Sequence, residues 1–145
     1  MIEKLTFDAG IKELEINENG VLTFNPSDFN VYKRFMALAQ ELPGLEKEYE
    51  SRKEGTEADS VLSQADEIDR LVKAKLAAVF GLQNDFDKLL GGVNVMAMGN
   101  NGQRIITNFL NALLPYMEAG IKRHMKYSAS DAVAKAKTAR AKRGK

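Results

Sequence analysis

Three groups of residues in this chain have types and spacings that could do chemistry. The stretch GGVNVMAMGNNGQ, Gly91 to Gln103, gathers four glycines and three asparagines between two apolar helical patterns. That composition resembles loops whose backbone amides cradle a phosphate. Such a loop needs GxxxxGK followed by Ser or Thr, or GxGxxG after a strand in a βαβ unit. Here Gly92 and Gly99 are followed by no lysine, and no βαβ pattern surrounds them. The stretch therefore reads as a mobile connection rich in left-handed backbone, whose Val93, Val95, Met96 and Met98 can fold onto a core or reach a partner.

The second group is DSVLSQADEIDR, residues 59–70. Asp59, Asp66 and Asp69 lack the alternate spacing and central glycine of a calcium loop. Asp66 has Arg70 four residues on, the spacing of an ordinary helix-surface ion pair. These carboxylates read as a solvated face. The third group is the single histidine, His124, among Lys122, Arg123 and Lys126. One histidine cannot supply a two-histidine metal site, and a catalytic dyad would need a partner that nothing identifies. It reads as a solvated histidine on a basic helix face. No catalytic, cofactor-binding or metal-ligating residue is expected.

Charge is distributed unevenly. The formal net charge is +1, yet the last fifteen residues carry six basic side chains against one acid, Asp131. The first 130 residues then hold fifteen basic against nineteen acidic side chains. Lys135, Lys137, Arg140, Lys142 and Arg143 could neutralise phosphates or an acidic partner, giving salt-sensitive, sequence-independent binding. No aromatic residue lies among them to stack on bases.

The elements that must position these groups follow from periodicity. IKELEI (11–16), NENG and VLTF (21–24) predict a β-hairpin over 11–24, with the positive-φ turn at Asn19-Gly20. Residues 2–7, IEKLTF, offer a third strand. Ser27 or Asp28 caps a helix carrying Val31, Phe35, Leu38 and Leu42, which Pro43-Gly44 stops. LEKEYESRKEGTE is left open between a solvated helix end and a loose connection. Glu57 to Phe80 is the clearest helix, with Val61, Ala65, Ile68, Val72, Leu76 and Val79 as its stripe. LQNDFDKLL is a short amphipathic piece. Gln103 to Tyr127 makes another long helix, which Pro115 should kink or divide near Leu114 and Tyr127-Ser128 should break. The fold class is thus mainly α (α+β): an N-terminal hairpin, four to five bundled helices within 27–127, and a basic C-terminal tail. Residues 1–128 form one domain, and 129–145, with little to bury, a partly disordered tail.

At 145 residues with 44% hydrophobic content, one domain can fold unaided. The absence of cysteine excludes disulfides and thiolate chemistry. MIEKLTFDAG has no signal-peptide character, and no apolar run reaches the roughly 20 residues of a membrane span. A cytoplasmic protein that does not engage membranes is expected.

Phe109, Leu110, Leu113, Leu114, Tyr116 and Met117 cover more than one face of their helix, as in a deeply buried helix or one that packs on another chain. Phe109, Leu113, Tyr116 and Met117 are the candidate partner contacts. The order VFGLQNDFDKLLGG, an asparagine-rich connection, then ITNFLNALLPYMEAGIKRHMKYS resembles small tail-region proteins of phages and prophages of Gram-positive bacteria. Asp85 to Gly91 stands where their DxxFG(x)G-like segment lies, and Phe109 to Glu118 where their xxFLxxLxPxxE helix lies. The resemblance spans roughly residues 7–127. It implies a non-enzymatic tail assembly chaperone in the bacterial host cytoplasm, keeping a tape-measure-type partner soluble until tail-tube protein polymerises. Self-association is a further option. The alternative is a nucleic-acid-associated accessory protein acting through the basic tail.

Overall fold

A computed structural model describes residues 1–53 and 58–143; for helical residues 52, 53, 58–60 and 127–143 it describes the backbone alone. The order is β1 (Lys12–Glu15), β2 (Val21–Phe24), α1 (Phe29–Lys53), α2 (Ala58–Phe80), α3 (Phe86–Leu89) and α4 (Ile105–Arg143). The fold is mainly helical with an N-terminal antiparallel hairpin, as the periodicity predicts.

Helix α1 is the centre of the bundle. Asp28 caps it, Oδ1 accepting the Asn30 N–H at 2.9 Å. Its buried stripe is Val31, Phe35, Leu38, Leu42 and Leu45, with Tyr49 packed against the core. Arg34 donates to the Val79 carbonyl at 3.2 Å, and Glu41 pairs with Lys75 at 2.9 Å, so α2 runs antiparallel to α1. Ser27 meets His124 and Glu46 meets Thr107, so α4 runs antiparallel on α1 as well. Between these helices lie Ile68, Val72, Leu76 and Val79 of α2, and Ile106, Phe109, Leu110, Leu113 and Met117 of α4.

Neither proline ends its helix. α1 passes through Pro43 and α4 through Pro115, and α4 also continues past Tyr127–Ser128. Both prolines are on the exposed side, and Asn111, whose carbonyl Pro115 leaves without its helical donor, is exposed too. Water can satisfy such a carbonyl, so the usual penalty is reduced. Continuing α1 past Pro43 buries Leu45 and packs Tyr49, which keeps the stripe at alternating spacings of 4 and 3. Leu45 to Lys53 is therefore helix. Side chains from 127 onward, and with them the expected partial disorder of 129–145, lie outside the described residues, as do Glu57 and the side chain of Asp59.

The hairpin forms with a different turn from the one predicted. Positive φ falls at Asn17 (46°), Glu18 (65°) and, as expected, Gly20 (151°), but the Asn19 N–H donates to the Ile16 carbonyl at 2.8 Å, which centres the turn on Asn17-Glu18. The register pairs Leu14 with Leu22 and Lys12 with Phe24. A turn centred on Asn19-Gly20 would set Leu14 and Ile16 on the face opposite Leu22 and Phe24. The apolar faces decide the register, and the Asn-Gly preference yields. Residues 2–7 make no third strand; among the described residues the sheet has two strands.

The hairpin is fixed to the helices through rings. Phe80, at the end of α2, has its ring centroid 5.1 Å from Phe24, 6.2 Å from Phe35 and 5.8 Å from Phe86, and Phe86 lies 6.1 Å from Phe109. Two helical glycines differ in what surrounds them. A Cβ on Gly44 would meet nothing within 4 Å, whereas one on Gly120 would come 2.0 Å from the Pro26 carbonyl oxygen. Gly44→Ala is expected to stabilise the protein by about 1 kcal/mol, the helix-propensity gain. Gly120→Ala is expected to destabilise it by about 1–3 kcal/mol through overpacking. Urea unfolding of the two variants checks the opposite signs.

Candidate functional site

The glycine-rich stretch is built into the structure rather than hung from it. α3 closes with the Gly91 N–H on the Lys88 carbonyl (2.9 Å) and the Gly92 N–H on that of Asp87 (2.7 Å), both glycines near φ 70°. The chain then turns inward and buries Val95 and Met96 completely or nearly so, while Met98 stays exposed. Ile105 and Ile106 N–H groups return to the Ala97 and Val95 carbonyls at 2.8 and 3.0 Å, and Met98 bridges Arg104. The left-handed glycines are as expected, but the backbone bonds and the buried Val95 make an anchored connection instead of a loose joint.

Its anchor is ionic. Asp69, buried on α2, accepts the Val95 N–H on Oδ1 at 2.8 Å and Lys73 Nζ on Oδ2 at 2.8 Å. Lys73 Nζ also reaches Asp87 at 2.6 Å and the Val93 carbonyl at 3.0 Å. Asn94 Nδ2 donates to the Ala65 carbonyl at 3.0 Å. On the far side Arg104 holds the Met96 carbonyl at 2.7 Å, pairs with Glu50 and lies 5.4 Å from the Tyr49 ring centroid. Burial pulls the Lys73 pKa down, but the hydrogen bonds and charges of Asp69 and Asp87 outweigh it and hold the pKa above 10.5. The solvated-face reading holds for Asp66, whose pair with Arg70 is exposed at 3.1 Å. It fails for Asp69, because the incoming loop turns that carboxylate into a buried backbone acceptor.

The other sequence candidates are placed as follows. His124 is half-buried: Nδ1 donates to the Ser27 carbonyl at 2.8 Å and the ring lies edge-on to Phe29 at 4.2 Å. It ties α4 to the start of α1, which corrects the solvated reading. Phe109, Leu113 and Met117 are core residues, at most 8% exposed, because that face of α4 lies against the bundle. Leu113 and Met117 present no contact surface, whereas Phe109 also lines a pocket beside Gly91 and Val93. Tyr116 is 42% exposed, with Lys12 Nζ 5.5 Å above its ring. Lys135, Lys137, Arg140, Lys142 and Arg143 have side chains outside the described ones.

Sequence reasoning missed Asn84, 5% exposed. Its Oδ1 accepts the Thr23 N–H and its Nδ2 donates to the Thr23 carbonyl, each at 2.9 Å, so one side-chain amide closes the outer edge of β2 like a neighbouring strand. Its only sequence signal is an amide just after the helix-ending Gly81.

Among the described residues no three metal-ligating side chains converge, and no helix is long and apolar enough to cross a membrane. A pocket of about 520 Å³ beside the glycine-rich stretch is lined by Asn17, Asn19, Leu89, Gly91, Val93 and Phe109. A groove of about 300 Å³ between α1 and α4 is lined by Ala39, Leu42, Pro43, Leu110 and, at its polar rim, Glu46, Thr107 and Asn111. Comparison with family models, curated proteins and solved structures finds no match.

Lys73→Met is expected to cost about 3 kcal/mol, the scale for breaking a buried pair. A folded-state pKa raised above the unfolded value stabilises fully below the unfolded pKa and is lost as pH rises through the folded one. The stability gap between wild type and Lys73→Met is therefore flat to about pH 10 and narrows above 10.5. Urea unfolding across that range checks it.

Proposed function

We propose that the protein is a non-enzymatic phage or prophage tail morphogenesis protein, a tail assembly chaperone that binds helical segments of a tape-measure-type partner. The sequence resemblance over residues 7–127 motivates this reading. The observation that carries its mechanism is the α1–α4 groove, where Leu42, Pro43 and Leu110 form an apolar floor inside a polar rim. An amphipathic helix laid in such a groove buries leucines or aromatics at about 25 cal/mol per Å² of apolar area. Tyr116 is exposed on the opposite flank of the same helix, beside Lys12 of the hairpin, and offers a second, separate contact.

The contact surfaces are thus the groove on one flank of α4 and Tyr116 on the other, in place of the buried Leu113 and Met117. Asn111→Arg and Tyr116→Asp are expected to leave the helical circular dichroism unchanged and to weaken capture of a long helical partner segment by about tenfold, or 1.4 kcal/mol. Leu113→Asp is expected to unfold the protein. If both surface variants fold and retain full capture, or the wild type holds no such segment, the reading is wrong.

A second reading rests on the six basic residues after Asp131, which could supply salt-dependent nucleic-acid binding. Deletion of 131–145 should then abolish a low-salt gel shift.

A further inference from the structure

A two-stranded sheet has two outer edges, and here they differ. Asn84 occupies both outward backbone groups of Thr23, and Gln83 Nε2 adds a bond to the Thr23 carbonyl at 3.2 Å, so the β2 edge is closed. Thr23 stands opposite Glu13 in the register. The Ile16 N–H bonds the Gly20 carbonyl, which places Leu14–Leu22 among the hydrogen-bonded pairs and Glu13–Thr23 among the others. The N–H and C=O groups of Glu13 and Glu15 therefore point away from β2. Among the described residues nothing meets them. An open, unpaired edge is a template for another strand.

The chain also carries an unplaced strand-like segment. Residues 1–7 make no regular structure, and Ile2, Leu5 and Phe7 are 98%, 87% and 79% exposed. Asn25 Nδ2 holds the Ala9 carbonyl at 3.0 Å. Asn25 follows β2, so this bond leads the chain out of β1 on the β2 side, away from β1's own open edge. Seven extended residues span about 23 Å, ample for a four-residue strand.

We propose that the arm, residues 2–7 of one copy, pairs with the open β1 edge of a second copy, and reciprocally, so that each hairpin becomes a three-stranded sheet. Alternation over residues 4–7 fits the occupant to the edge. With Leu5 and Phe7 on the face of Leu14 and Ile16, Lys4 falls on the opposite face, where Glu13 and Glu15 are exposed. Main-chain bonds give the pairing, the apolar side chains cover the partly buried Leu14, and Lys4 meets acids. The exchange is isologous and closes at two copies. It is independent of the tail-assembly reading.

Light scattering after size exclusion tests this on the full chain, on a chain lacking residues 2–7, and on Glu13→Pro. A proline there removes an outward N–H without touching the β1–β2 ladder. The full chain is expected at twice its 16.1 kDa mass, and both variants at the single mass with unchanged circular dichroism. Three results each overturn the proposal: a full chain that stays monomeric at millimolar concentration, a deletion that keeps the doubled mass, or a folded Glu13→Pro that keeps it. If Glu13→Pro fails to fold, the deletion alone decides.

Discussion

The hydrogen bond from the Val95 N–H to the buried Asp69 carboxylate is the constraint on which the rest of the fold depends. The chain must travel from α3 back to the start of α4 without regular structure, and every backbone group it buries needs a partner. Asp69 supplies one from the middle of α2, while Lys73 neutralises the carboxylate and binds the Val93 carbonyl and Asp87. Removing water from Asp69 is tolerable only because that cation and donor are in place. The result fixes where α4 begins, and so which of its residues face α1.

The same solution appears at the other irregular junction. Asn84 follows α2 and matches the outward N–H and C=O of Thr23 with one amide. Asp69 and Asn84 are the buried polar residues among those described, and each bonds backbone from outside a helix. The hairpin, too short to persist alone, is held by this amide and by the Phe24–Phe80 contact. Both buried polar side chains thus hold irregular backbone to the helices.

How much of this was legible in the sequence follows from the range of each signal. The stripes Val31–Leu42 and Ile68–Val79 depend on period alone, and the structure buries them as the periodicity predicts. Pro43 does not stop α1 and Pro115 does not divide α4, because the cost of a helical proline depends on which face it occupies, and that is a tertiary fact. The turn was misread because an Asn-Gly preference of local origin lost to the matching of Leu14 with Leu22. Asp69 looked like its neighbours Asp66 and Glu67; only a loop arriving from 26 residues later distinguishes it. The wide apolar arc of α4 carried both core and surface, and one chain's periodicity cannot divide Phe109, Leu113 and Met117 from Tyr116.

The glycine-rich stretch is an anchored part of the core and not a hinge. Native-state hydrogen exchange of the Val95 and Ile106 amides in increasing urea tests it most directly. An anchored stretch exchanges only with global unfolding, sharing the free energy and urea dependence of the Val72 and Leu76 amides in α2. If Val95 and Ile106 exchange through a local opening while Val72 and Leu76 remain protected, the stretch is a mobile joint and the claim is wrong.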